Sequence, residues 1–162
     1  MELLEGTVTI EDVDSFVSTL DRIGSEHGST VQAFDARYVT SRRHLERAVE
    51  LADRERSRGE GIARDRGVEI LLYAAGRRQI DRALEMGVGE GRTPVVVLVD
   101  GGDESAATGA VSELLSPAST LGAYDEAAVR EFFDVSAEEL AATDATLDDL
   151  VRERVALLVV ER

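Results

Sequence analysis

Residues 93–102 read "TPVVVLVDGG", and this stretch decides the fold. Five consecutive β-forming apolar residues, Val95 to Val99, follow Pro94 and end in an Asp-Gly-Gly turn. An alternating strand shows one face to water; an unbroken apolar run predicts a central strand covered on both faces. Upstream, "GVGEGRT" places Gly87, Gly89 and Gly91 before the strand. Phosphate-cradling loops follow a strand and open a helix, so this reversed order predicts a plain turn. Downstream, "DESAATGAVSELL" predicts a helix. Asp103 suits its cap, although Asp100 and Asp103 flanking the glycines would also serve a magnesium ion as two carboxylates.

Further toward the N-terminus the pattern alternates between strand and helix. Residues 3–10 predict a strand, and Val13, Phe16, Val17 and Leu20 share one face of a helix expected to end at Gly24 and "EHGS". "TVQAFDA" (30–36) predicts a second strand, and Ser41 an N-cap for a helix with Leu45, Ala48, Val49 and Ala52 inward. A helix from about Ile62 to Gly76 and another from Arg77 to Met86 precede the central strand. Beyond it, Asp125 caps "EAAVREFF", Ser136 with Glu139 forms a capping box, and Leu147, Leu150, Val151, Val155, Leu158 and Val159 trace one face of a last helix. The closing "VALLVV" fits a strand as well as a helix. No repeat or linker divides the chain, so the expectation is one α+β domain over residues 1–162. A small, mainly antiparallel or mixed sheet would be covered by several helices.

Composition narrows the chemistry. The 162 residues include no cysteine, which excludes disulfides and thiolate metal sites, and only two histidines. No apolar run approaches the roughly 20 residues of a spanning helix, and the acidic N-terminus lacks the pattern of a signal peptide, so a soluble cytoplasmic protein is expected. All 18 basic residues are arginine against 33 carboxylates, a formal charge of −15. That balance suits molar salt, where hydrated carboxylates replace lysine stems and arginine is kept for specific bonds. The charge is also uneven: residues 37–92 hold 13 arginines and 10 carboxylates, net +3, leaving −18 for the remainder.

Within that basic segment, Arg77 and Arg78 directly follow Gly76. As the first residues of a helix they would stand where cations cost a few tenths to ~1 kcal/mol, so another interaction must favour them. Asp81 can neutralise one. Two guanidinium forks, Gln79 and free helix N–H groups would suit a phosphate or carboxylate. Tyr73 sits among apolar residues and predicts a core ring. His44, in the first turn of a helix, fits a structural histidine, and His27 a loop residue.

Taken together, "YVTSRRHLERAVELA", "GIARDRGVEILLYAAGRRQIDRALEMGV" and "LVRERVALLVV" resemble the small kinase-binding subunit of the archaeal and eukaryotic KEOPS (EKC) complex, the TPRKB-like family. The Glu, apolar pair and Tyr followed by Gly-Arg-Arg-Gln-Ile is its strongest element. The resemblance spans most of residues 31–92, recurs weakly in "FFDVSAEEL" and the last helix, and with the missing lysine suggests a haloarchaeal member.

The resemblance implies a noncatalytic subunit, without cofactor, metal, membrane or small-molecule substrate. Its partner would be the kinase-like ATPase subunit of KEOPS, which assists transfer of threonylcarbamoyl to the adenosine next to the tRNA anticodon. Archaeal members also bind the single-stranded tRNA 3′ CCA end. On this chain that implies tRNA contacts at Gly76, Arg77, Arg78 and Gln79, a base stacking on Tyr73 or Tyr38, and weaker contacts at Arg42, Arg43, His44 and Arg47. Val151, Val155 and Leu158 would carry kinase docking if their stripe serves a partner as well as the core. Two other readings compete: an interaction module that regulates the kinase without touching RNA, and a magnesium enzyme using Asp100 and Asp103.

Overall fold

The computed structural model describes residues 1–160. Four strands, β1 (Glu2–Ile10), β2 (Thr30–Asp35), β3 (Gly91–Asp100) and β4 (Ser116–Pro117), form one sheet in the order β2-β3-β1-β4, antiparallel throughout. β3 lies between β1 and β2, with Val97 opposite Leu4 on one side and Ala33 on the other. Its side chains alternate between two helical layers. Val95, Val97 and Val99 face a core built with α1 (Val13–His27) and α5 (Glu104–Ser112). Val96 and Leu98 face a larger core with α2 (Arg42–Ser57), α3 (Arg66–Ala75), α6 (Glu126–Phe133) and α8 (Leu147–Leu157). All five side chains are fully buried, which explains the unbroken apolar run; each such burial is worth roughly 1.5–3 kcal/mol. Two short helices, α4 (Ile80–Ala83) and α7 (Ala137–Ala142), complete the α+β fold.

The caps at Ser41, Asp103, Asp125 and Ser136 stand as predicted, each side chain accepting a backbone N–H at the start of its helix. Other boundaries differ. α1 does not stop at Gly24 but runs on to His27, where Gly28 ends it with φ 66. Gly24 serves close packing instead: a Cβ there would lie 2.6 Å from the carbonyl oxygen of Ser29. Ile62 to Arg64 do not join α3, because the buried Glu69 carboxylate accepts the N–H groups of Ile62 at 2.8 Å and Ala63 at 3.1 Å, and Asp65 caps the helix after them. The "VALLVV" segment is helical to Leu157 and then turns, with no strand among its residues.

Candidate functional site

The segment after α3 departs furthest from its predicted form. Gly76 adopts φ 62 and donates its N–H to the Tyr73 carbonyl, and Arg77 N–H reaches Leu72 O at 3.1 Å, so the helix closes with a left-handed cap. Arg77 and Arg78 therefore follow a helix C-terminus instead of starting a helix. The next helix, α4, begins only at Ile80 and has four residues, and Leu84–Met86 form a single 3-10 turn. The expected anion site of free helix N–H groups is not built.

The two arginines have separate fates. Arg77 folds back, its Nη2 donating to the Phe132 carbonyl while its guanidinium lies 5.1 Å from the centre of the Phe132 ring. Arg154 takes the two neighbouring carbonyls, of Phe133 and Asp134, both at 3.1 Å, and holds Glu139 with both arms. Two guanidiniums thus occupy the acceptors left at the C-terminus of α6, where the helix dipole favours cations. Arg78, by contrast, is exposed and makes no hydrogen bond or ion pair among the described residues, and the Gln79 side chain does not cap α4. Asp81 pairs with neither arginine.

Arg78 borders a cleft of about 370 Å³ together with Arg64, over a floor of Ile62, Val68, Leu72 and Ile80. Ile80 remains 49% exposed. Asp65 lies on the rim, but its Oδ1 is held by Val68 N–H. Two cations beside apolar side chains can hold a phosphate and seat a planar ring at the same place. The sequence pointed to Arg78 and Gln79 and missed Arg64. Its only trace there was the break "GEGIARD", where a cation immediately precedes a helix cap.

The other expected contacts fall elsewhere. Tyr73 is 1% exposed and belongs to the core. Tyr38, half-buried, packs edge-on against Phe132 at 5.5 Å. His44 is fully buried: its Nε2–H donates to Ala74 O at 2.8 Å, and Nδ1 accepts Thr40 N–H at 3.3 Å. Burial holds its imidazole below the ordinary value of 6.5, against the opposing pull of the Ala74 carbonyl and Asp148. It is a structural residue and no surface contact. Arg42 is tied to Glu46 and the Met1 carbonyl, and Arg47 to Glu50; Arg43 is exposed and has no partner among the described residues. Val151, Val155 and Leu158 are at most 1% exposed and face the chain's own core, which takes up the stripe expected to dock a kinase.

The carboxylates of the competing magnesium reading are engaged. Asp103 caps α5, and Asp100 meets Arg66 at 2.7 Å and the N-terminal ammonium at 3.2 Å. Burial alone would raise the Asp100 carboxyl, but the hydrogen bonds from Arg66 and the ammonium outweigh it and hold the group below the usual range. Among the described residues no group of three His, Cys, Asp or Glu side chains gathers for a metal ion, and no helix is long and apolar enough to cross a membrane.

These features define an antiparallel α+β domain whose distinguishing surface is a cationic cleft with an apolar floor. A family model described as kinase binding protein CGI-121 matches residues 11–158, and the chain belongs to that family of kinase-binding proteins. A comparison with curated proteins finds no match.

Proposed function

We propose that this kinase-binding protein is a noncatalytic subunit of a cytoplasmic KEOPS complex, where it binds the kinase-like ATPase and recruits tRNA by its single-stranded CCA end for threonylcarbamoyl-adenosine formation next to the anticodon. One observation carries the RNA part. In a chain of charge −15, Arg78 and Arg64 are left without ion-pair partners among the described residues, on the rim of one apolar cleft. Phosphates of an unpaired RNA end would take the guanidinium forks, and a base would lie against Ile80 and the cleft floor. Gln79, exposed between Arg78 and Ile80, would offer its amide to a base edge. Kinase binding rests on the family. A haloarchaeal origin would bring ~1 M salt, where the Debye length is about 3 Å and only direct contacts of this kind remain effective.

The test is binding of labelled tRNA, intact or trimmed of its CCA end, to the wild type and to the Arg64→Glu, Arg78→Glu double variant. Each lost charge-assisted bond is worth about 1.5–3 kcal/mol, so the variant should bind intact tRNA at least about tenfold more weakly. Trimming should weaken the wild type and change the variant little. Equal binding of both proteins to both RNAs would move the RNA contact away from this cleft, and no binding by the wild type would leave a regulator of the kinase that never touches RNA, the reading that the −18 charge outside residues 37–92 favours.

A further inference from the structure

A second surface lies along the same short segment. Val13, Val17 and Leu20 of α1 face Leu84 and Val88 across a narrow apolar groove whose floor is Val31 to Ala33 of β2. Val17 is 41% and Leu84 57% exposed, large apolar side chains left in water on a chain that is 31% charged. β2 is an edge strand, paired with β3 alone. Toward Thr30 the groove opens, through Asp21 and Val31, into a polar cavity of about 380 Å³ that also contains Asp65 and Arg66. Asp21 makes no hydrogen bond or ion pair among the described residues. Burial and the nearby Asp65 charge push its carboxyl above the ordinary range. Arg66 does not relieve this repulsion, because its guanidinium is taken by Asp53 at 2.8 Å, Asp100 at 2.7 Å and Thr30 at 3.0 Å.

An apolar groove ending at Asp21, a carboxylate with no ion pair among the described residues, beside the helix-capping carboxylate of Asp65 is complementary to a segment with apolar side chains followed by a lysine or arginine. A second copy of this chain fits poorly, since it would bring another −15 to an acidic surface. We infer that the groove between α1 and Leu84 is the docking face for the family's kinase partner, whose apolar side chains rest on Val17 and Leu84 while a basic side chain enters between Asp21 and Asp65. This deepens the kinase-binding reading and rests on it. The two sites adjoin, since Asp65 lines both the Arg78 cleft and the cavity at the end of the groove.

The experiment is calorimetric titration of the kinase-like ATPase subunit into the full chain, with tRNA binding and Tm measured in parallel. Val17→Glu with Leu84→Glu should weaken kinase binding about tenfold or more while leaving tRNA binding and Tm near wild type. Asp21→Arg should have effects of opposite sign: a higher Tm, because the repulsion with Asp65 becomes attraction, and weaker kinase binding. A merely structural role would not separate the two. Failure of the wild type to bind the kinase would overturn the kinase-binding reading itself. Wild-type binding with both variants within about twofold of it would place the docking face elsewhere. Loss of concentration-dependent self-association in the variants, with kinase binding intact, would make the groove a self-interface and overturn the inference.

Discussion

Acidification from pH 7.5 to 5.5 should cost this protein stability through His44. In the folded state the imidazole is sealed from water, its Nε2–H donates to Ala74 O and its Nδ1 accepts from Thr40 N–H. A proton on Nδ1 would face the Thr40 N–H donor, so the folded protein resists it, and the pKa is lowered from 6.5, chiefly by burial. In the unfolded chain the ring titrates near 6.5. The unfolded state therefore binds more protons below that value, and stability is present above it and lost as pH falls. While the folded imidazole stays neutral, the slope approaches about 1.4 kcal/mol per pH unit, which integrates to about 1.4 kcal/mol between pH 7.5 and 5.5. Urea unfolding at pH 7.5, 6.5 and 5.5 and fixed salt measures it. His44→Gln keeps an N–H donor for Ala74 but cannot titrate, so it should start less stable and lose about 1.4 kcal/mol less over the interval. The carboxyls held low by hydrogen bonds, Asp100, Asp148 and Asp149, begin to matter only nearer their ordinary value of 3.8. Equal pH slopes in wild type and His44→Gln would refute the reasoning.

Two further outcomes follow from the cores and caps. Arg77→Ala should destabilise by about 1.5–3 kcal/mol in thermal or urea melts, since it leaves the Phe132 carbonyl without its charged donor, and should act on RNA binding only through the fold. Leu158→Glu should unfold the protein, at a cost of about 4 kcal/mol or more, because a carboxylate would replace a side chain that is 1% exposed; a native circular dichroism spectrum for that variant would show that the site can open.

The fold was legible where local chemistry decides it. The run Val95 to Val99 announces its own burial on two faces, and a Ser or Asp three residues before the N–H it accepts is a pattern visible in one dimension. Gly24 misled because glycine both breaks helices and lets backbones approach, and only the position of Ser29 distinguishes the uses. The pair Arg77 and Arg78 misled for a longer-range reason. Periodicity after Gly76 favoured an immediate helix, whereas the guanidinium of Arg77 is fixed by a carbonyl 55 residues away, which no local spacing reveals. The apolar stripe of α8 was visible, but whether it meets the chain itself or a partner depends on packing with α2, α3 and α6, and that packing consumes Val151, Val155 and Leu158.

Counting arginines therefore says little about where an anion binds; their partners decide it. Arg37, Arg66, Arg77, Arg152 and Arg154 are each committed to carboxylates or carbonyls of the chain itself. Drawing any of them toward a phosphate would break bonds already made, and the gain in contact would be offset by that loss. Arg64 and Arg78 carry no such debt, so a phosphate meeting them gains charge-assisted bonds against the loss of water alone. The same logic applies with inverted sign to the groove of α1. Asp100, Asp148 and Glu139 are answered by arginines, while Asp21, beside Asp65, forms no ion pair among the described residues. Unpaired groups beside an apolar cleft or groove mark the surfaces where a partner can improve on the free protein: an anionic one at Arg64 and Arg78, a cationic one at Asp21.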